Sequence, residues 1–229
     1  MHNLAIIPAR SGSKGLKDKN IKLLNGLPLI AYSIQAALKS GKFSHVMVST
    51  DSPLYAKIAI DHGAEVPFLR DATSASDSAS SWDVVREVLG KYRELGMEFE
   101  TVTLLQPTSP LRTSEDIVKA FDLYQEKGAT AVVSVCEPEH SPLWCNTLSE
   151  SLCMDHFLDH ISNRPRQQLN TYYRLNGSIY IVDVALISAG NNIYDANSYA
   201  YIMPNERSVD IDTELDFLIA ETVINHLSE

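Results

Sequence analysis

Strand-like apolar runs alternating with stretches of helical periodicity constrain the fold of this chain more than any other feature. Leu4-Ala5-Ile6-Ile7 is the first run, and Val46-Met47-Val48-Ser49-Thr50 and Thr101-Val102-Thr103-Leu104-Leu105 repeat it. Between the first two, Leu27, Ile30, Ala31, Ile34, Ala37 and Leu38 recur at the spacing of one helix face, which predicts a helix over 27–38. Ser52 can cap a helix over 54–62, and Ser80-Ser81-Trp82-Asp83 has the capping-box pattern for a helix running to Leu95. Thr113 or Ser114 caps the next helix, and Ala131 to Val135 is a further strand. Alternation of this kind specifies an α/β fold, a mostly parallel sheet with helices on its faces.

Sheets of that type bind ligands beyond the carboxyl ends of their strands. The loop leaving the first strand, Ala9-Arg10-Ser11-Gly12-Ser13-Lys14-Gly15-Leu16-Lys17-Asp18-Lys19-Asn20, concentrates small residues, glycines and cations. Free backbone N–H groups in such a loop suit a phosphate cradle. Gly12 and Gly15 permit close backbone approach, while Arg10, Lys14 and Lys19 can reach separate oxygens of a polyphosphate. Gly15 follows Lys14 where a Walker-type loop has Ser or Thr, and the spaced glycines of a dinucleotide fold are missing. An exposed turn with solvated lysines is the plain alternative.

The overall charge makes that cluster stand out. Across 229 residues, 19 Lys and Arg against 29 Asp and Glu leave a net charge of −10, unsuited to nucleic acid or an anionic membrane as partner. A chain of this length can bury one substantial core. Cys136, Cys145 and Cys153 lack paired spacing, which argues against a zinc knuckle or disulfide framework. No leader or membrane-length run is apparent, so a cytoplasmic location is expected.

Several later stretches carry polar groups to the same end of such a sheet. Asp51 is either a ligand or, as turn chemistry favours, a cap. Arg70 and the small polar residues up to Ser81 could read a nucleobase edge through the arginine fork, the Ser80 and Ser81 hydroxyls and helix-start N–H groups; a capped helix after a surface loop is equally open. Gln106-Pro107-Thr108-Ser109-Pro110-Leu111-Arg112 leaves its strand through two prolines, which hold the Gln106 amide where it suits a sugar hydroxyl. From Glu137 to Gln168 the rhythm weakens, and strands or hairpins that leave the sheet and meet another subunit are expected. Arg164, Arg166 and Arg174, with Asn176 and Tyr180, suit an acidic ligand, or pair with the chain's many carboxylates.

The last informative stretch is Ser208-Val209-Asp210-Ile211-Asp212-Thr213-Glu214-Leu215-Asp216. If Val209 to Asp212 ends a strand, Asp210 and Asp212 share one side while Ile211 packs inward. Two carboxylates ~4 Å apart repel by about 4 kcal/mol at an effective dielectric near 20, so they share a proton or hold a cation. Beside a polyphosphate, oxygen ligands favour Mg2+, with Mn2+ as the alternative. Asp212 or Thr213 could also cap the final helix, with Asp216 completing a box.

Ile7 to Gly15, Leu104 to Arg112, Arg174 with Asn176-Gly177, and Asp210 to Glu214 occur in an order that resembles the acylneuraminate cytidylyltransferase (CMP-sialic acid synthetase) family over essentially the whole chain. The resemblance implies a three-layer Rossmann-like sheet of the nucleotide-diphospho-sugar transferase type and a homodimer. It implies one domain over 1–229, with 137–178 as a dimerisation and sugar-site excursion. The implied reaction joins CTP to the anomeric hydroxyl of a nine-carbon 2-keto acid sugar and releases pyrophosphate. On that basis Ala9, Arg10, Ser11, Ser13, Lys14 and Lys19 meet the triphosphate, and Arg70, Ala79 and Ser81 surround cytosine. Gln106, Arg166, Arg174, Asn176, Tyr180, Ile193 and Tyr194 form the acceptor site, with Arg174 reaching across a dimer as one arrangement. Asp210 and Asp212 bind magnesium, and Arg10, Lys14, Lys19 and Asp212 carry catalysis, Asp212 helping to deprotonate the attacking hydroxyl.

Two positions depart from the sialic acid-using pattern. Trp144 stands in the segment where a lysine can occur, and Ile193-Tyr194 where an aromatic pair can line the acyl-amino pocket, which leaves N-acetylneuraminic, legionaminic and pseudaminic acids all open as acceptors. An enzyme for the eight-carbon keto acid of lipopolysaccharide and a catalytically silent nucleotide-binding module are the alternatives.

Overall fold

The computed structural model describes residues 2–12, 15–71, 80–158, 169–190 and 192–227. β1 (Asn3–Pro8) is followed by a small hairpin, β2 (Leu23–Leu24) and β3 (Leu27–Pro28), then α1 (Leu29–Ser40) and β4 (His45–Ser49). α2 (Pro53–Asp61), α3 (Ser81–Glu94), β5 (Thr101–Leu104), α4 (Ser114–Lys127) and β6 (Ala131–Cys136) continue the alternation. β7 (Arg174–Asp183), α5 (Val184–Ser188), β8 (Ser198–Ile202) and α6 (Glu214–Leu227) complete it.

The main sheet has six strands in the order β4-β1-β5-β7-β6-β8. Among them β7 runs antiparallel to both neighbours, while the other pairings are parallel. The period of two along β1 shows why a sheet covered on both faces forms. Leu4 and Ile6 pack with Val84, Val85, Val88 and Tyr92 of α3, whereas Ala5 and Ile7 pack with Ile30 and Ile34 of α1 and Phe121 of α4. Three layers result, as expected for the α/β class. A smaller cluster joins Leu24 and Leu29 to Ile211, Phe217 and Ala220, which docks α6 beside the hairpin.

Capping fixes where four helices begin. Ser80 with Asp83 and Thr113 with Asp116 form reciprocal capping boxes at α3 and α4. Thr213 and Asp216 repeat the pattern before α6, the Asp216 carboxylate accepting from the Thr213 amide and hydroxyl, each at 2.8 Å. Ser52 caps α2 by accepting from the Tyr55 amide.

The structure differs from the sequence reading at three places. The helix expected over 27–38 begins at Leu29, because Asn25 and Gly26 adopt φ of +46° and +81° and turn Leu27 and Pro28 back against Leu24 and Leu23. Val209 to Asp212 is irregular rather than a strand end, and is tied down by the Ile211 amide donating to the Thr108 carbonyl at 2.8 Å. Over 137–158 a single 3-10 turn, Pro142–Trp144, stands where strands or hairpins were expected. Arg174–Ser178, grouped with that excursion in the sequence reading, opens β7 within the main sheet.

Because β7 is antiparallel, its first residues lie where the parallel strands end. Arg174 stands opposite Cys136, and Tyr180 opposite Leu104. The loop after β5 and the start of β7 are therefore neighbours. The cysteines are all free, and no helix among the described residues is long and apolar enough to cross a membrane.

Candidate active site

The loop after β1 is anchored at both of its roots. Ala9 is buried and its amide extends the sheet by donating to the Ser49 carbonyl, while the Asn20 amide group donates to the Arg10 carbonyl at 3.1 Å. Asp51 is neither a cap nor an open ligand. Its carboxylate accepts from the Ser11 amide at 2.8 Å and the Ser11 hydroxyl at 2.7 Å, so the end of β4 braces the start of the loop. Burial opposes ionisation of Asp51, but these bonds and the nearby Arg70 hold its carboxyl below the ordinary value. Asp18, at φ +52°, accepts from the Tyr55 hydroxyl and fixes the far side of the loop.

The acidic segment before α6 faces this loop directly. A Cβ on Gly15 would come 2.8 Å from the Asp212 carbonyl oxygen, closer than real side chains pack, so glycine is required there. Gly12 meets no such obstacle. The Lys19 ammonium donates to the Ile211 carbonyl at 2.5 Å and to the Asp212 carboxylate at 3.0 Å. Lys22 adds a 2.6 Å pair with Glu214 and lies over the Phe217 ring. Two ends of the chain thus close on one cleft.

Asp210 and Asp212 differ sharply within that cleft. Asp212 is exposed, whereas Asp210 is partly buried and its Oδ1 has no hydrogen-bond partner. Burial pushes the Asp210 carboxyl up, and the Asp212 charge adds to that; Thr108, Lys19 and Arg174 work against it. An orphaned carboxylate oxygen beside a second carboxylate fits a hard divalent cation. No group of three His, Cys, Asp or Glu side chains forms among the described residues, so such an ion would complete its shell with phosphate oxygens and water.

On the opposite wall of the cleft, Gln106 follows β5 and its side-chain oxygen lies against Gly177. A Cβ there would collide with that oxygen, and the backbone at Gly177 has φ +73°, so this position also demands glycine. Asn176, read from sequence as a sugar contact, is 1% exposed and spends its amide inside the protein. It accepts from the Ser134 hydroxyl at 2.6 Å and from the Ser178 amide, and donates to the Ser208 hydroxyl at 2.9 Å. Asn176 is thus a floor beneath the cleft.

Arg174 is exposed at the rim, its guanidinium 3.4 Å from the Ser208 carbonyl. Tyr180 is pushed up to about 12, by burial first and then by Tyr194 and Asp210 nearby. Trp82 stands edge-on to its ring with centroids 5.9 Å apart. Trp82, Ile193 and Tyr194, with Ser80, Arg86, Ile187 and Asn192, line a pocket of about 300 Å3 beside Tyr180.

Arg70 lies near Arg10, and donates to the Ser49 hydroxyl at 3.2 Å and the Ser49 carbonyl at 3.0 Å. Burial lowers its pKa and Arg10 adds to that, against Asp51 and Glu87. Ser81 opens α3 and is partly buried, whereas the Ser80 hydroxyl is committed to its capping box. Ser13, Lys14, Ala79 and Arg166 lie outside the described residues. Arg112, which is buried, and Trp82 take part in the site although the sequence reading assigned them no role. Leu111-Arg112 sits in the turn before the Thr113 cap, and nothing in its spacing discloses that the guanidinium turns inward.

The geometry can be set beside known proteins. The Cytidylyltransferase family model matches residues 4–156. The CMP-N,N'-diacetyllegionaminic acid synthase of Legionella pneumophila is 37% identical over 227 residues, covering 98% of this chain and 97% of that protein. The N-acylneuraminate cytidylyltransferase of Streptococcus agalactiae serotype V is 38% identical over 229 residues, but this chain spans only 54% of its length. Among solved structures, CMP:2-keto-3-deoxy-manno-octonic acid synthetase complexed with CTP aligns with a TM-score of 0.73 over 99% of this chain and 100% of that one. At 16% identity it speaks for the fold alone. Carried by a family match through residue 156 and by full-length identity of 37%, this chain belongs to the cytidylyltransferase family of nucleotidyltransferases.

Proposed function

We propose that this protein transfers CMP from CTP to the anomeric hydroxyl of a nine-carbon 2-keto acid sugar, releasing pyrophosphate. The observation that carries the reading is the closure of the Gly15–Lys19 loop on Asp212, which sets cations and carboxylates on two sides of one cleft. Arg10, Lys14 and Lys19 would neutralise the triphosphate, with Ala9, Ser11 and Ser13 shaping the loop around it. Arg70, Ala79 and Ser81 would surround cytosine.

Asp210 and Asp212 would hold magnesium, or manganese in its place, which when bound supplies charge neutralisation at the α-phosphate and the leaving pyrophosphate. Asp212, exposed and next to Lys19, would take the proton of the attacking hydroxyl. Gln106 would orient an acceptor hydroxyl, and Arg174 with Arg166 would bind its carboxylate through forked donors.

Tyr180 is near Asp210 and also meets Trp82 and Tyr194 of the pocket, so a sugar with its anomeric carbon near Asp210 would have that pocket within reach of its acyl-amino substituents. Aromatic and aliphatic walls with Arg86 and Asn192 at hand suit the methyl and carbonyl of an N-acyl group. An N-acylated legionaminic, pseudaminic or neuraminic acid is therefore the acceptor class, in line with the names of the L. pneumophila and S. agalactiae relatives. A homodimer belongs to this reading, because Leu148, Leu152, Met154, Tyr173 and Leu175 are exposed and a second copy would cover them. A cytoplasmic location, where CTP would be at hand, belongs to the same reading.

The test is pyrophosphate release with CTP, Mg2+ and a panel of nine-carbon and eight-carbon keto acids. Release with an N-acylated nine-carbon acid is expected. Release only with the eight-carbon acid would replace the acceptor class, and CTP binding without any release would leave a silent nucleotide-binding module. Light scattering in solution checks the dimer.

A further inference from the structure

Arg112 is a buried cation that the reaction outlined above does not use. It is 3% exposed, yet its hydrogen bonds run to uncharged oxygens. Nη1 donates to the Ser178 carbonyl at 2.9 Å and the Gln106 carbonyl at 3.4 Å, and Nη2 to the Ser33 hydroxyl at 2.5 Å. Nε has no partner. Asp116, whose charge it feels, is occupied by a two-point pair with Arg207 at 2.9 and 3.0 Å and by the Tyr201 hydroxyl.

Burying a guanidinium without a hydrogen-bonded carboxylate is costly, so the position calls for a geometric explanation. The three acceptors come from three segments. Gln106 lies in the loop just after β5, Ser178 lies in β7 next to Gly177, and Ser33 lies in α1. The fork therefore fixes β5's exit loop relative to β7 at the very point where the Gln106 side chain abuts Gly177. A second link, from the Ser109 hydroxyl to the Asn176 carbonyl at 3.3 Å, spans the same two segments. A lysine carries its donors on one nitrogen and cannot reproduce the spread of the fork over separate nitrogens.

We infer that Arg112 is a positioning residue for the acceptor: it sets the Gln106 amide against Gly177 without touching substrate, so that its loss falls on keto acid binding and spares CTP. This rests on the reading of Gln106 as an acceptor contact. A displaced amide weakens only interactions made through it, and misplacement by about 1 Å can cost up to about a hundredfold.

The experiment is Arg112→Lys, assayed with CTP and the preferred keto acid. The KM for the keto acid should rise about ten- to a hundredfold, while the KM for CTP stays within about twofold. An unchanged keto acid KM, or a matching rise in both constants, overturns the inference. Should Arg112→Lys fail to fold, Ser33→Ala removes one acceptor and leaves the arginine; a smaller shift in the same direction supports the role, and no shift overturns it. In a Gln106→Ala background Arg112→Lys should add little, whereas fully additive effects would refute action through Gln106. Wild-type protein inactive on every keto acid would instead sink the functional reading. Hydrogen exchange then still decides the positioning role. Amides at 106, 108, 109 and 176–178 should exchange faster in Arg112→Lys while those at 15–20 do not change, and equal exchange would refute it.

Discussion

The two walls of the cleft are built on opposite principles. The wall proposed for the nucleotide is held by few, mostly charged contacts near solvent: Lys19 to Asp212, whose carboxylate side chain is 75% exposed, Lys22 to Glu214, and Ser11 to Asp51. Exposed ion pairs of this sort contribute about 0 to 1 kcal/mol and are screened by salt. The wall proposed for the acceptor rests on Asn176, Ser134 and Ser208, buried and joined by neutral hydrogen bonds, and on the buried Arg112 fork, which donates to uncharged oxygens. Leaving one such buried group unpaired costs about 1 to 3 kcal/mol. Charges that a phosphate can replace belong on the first wall, and groups that must not move belong on the second. A loop held by replaceable charges and a floor held by buried hydrogen bonds are thereby combined at one end of one sheet.

The contrast can be broken most forcefully at the carboxylate behind the acceptor wall. Asp116 is 1% exposed and pairs with Arg207, the residue before Ser208, so Asp116→Ala should destabilise the fold by about 3 to 5 kcal/mol in urea unfolding. Burial works against ionisation of Asp116, but Arg207 and the Thr113 amide and hydroxyl prevail and hold its carboxyl below the usual range. A depressed folded pKa means that its stabilisation is complete above the ordinary carboxylate value and disappears as pH falls through the folded one. Asp116→Asn should flatten the acid limb of stability; an acid limb as steep as that of the parent protein would contradict this.

On the nucleotide wall the same size of effect should appear in rate instead. Lys19→Ala should lower kcat by about a hundredfold or more, the equivalent of about 3 to 4 kcal/mol, with the melting temperature little changed. A large loss of stability with turnover retained would reverse the assignment of the two walls. Asn176→Ala comes next, at about 1 to 3 kcal/mol of stability, because it removes the acceptor of the Ser134 hydroxyl and of the Ser178 amide. If the keto acid KM rises without any change in unfolding midpoint, the Asn176 amide faces the sugar after all.

How much of this was legible in the chain follows from the range of the interactions. The strands and capped helices rest on local periodicity and on boxes such as Thr113 to Asp116, and these read directly. The motifs mark Gly15 and Asp212 as candidate site residues, yet their contact spans almost the whole chain and no spacing encodes it. Asn176 looked like a sugar ligand because an amide beside glycine and arginine advertises polar chemistry. Its true neighbours, Ser134 and Ser208, come from β6 and from the segment before α6. Asp51 was ambiguous for the same reason, since a carboxylate after a strand reads as a cap until the loop from another strand arrives. The irregular stretch before α6 misled in another way, because alternation in Val209 to Asp212 imitates a strand that no neighbour pairs with.

The smallest expected effect is the most discriminating. Ser11 was taken from sequence as a triphosphate contact, but its amide and hydroxyl both donate to Asp51. If that brace persists when nucleotide binds, Ser11→Ala removes one of two bonds to a partly exposed carboxylate and should raise the KM for CTP by about twofold, leaving kcat intact. Asp51→Ala removes both bonds and should raise it further, by about three- to tenfold, again with little change in kcat. The ordering matters more than the sizes. A phosphate ligand acting in the transition state would show the reverse, with Ser11→Ala lowering kcat and Asp51→Ala, by freeing the Ser11 donors, tightening CTP. That outcome would mean Asp51 holds the place of a phosphate oxygen and gives it up to the substrate, and the first wall would then be a switch rather than a brace.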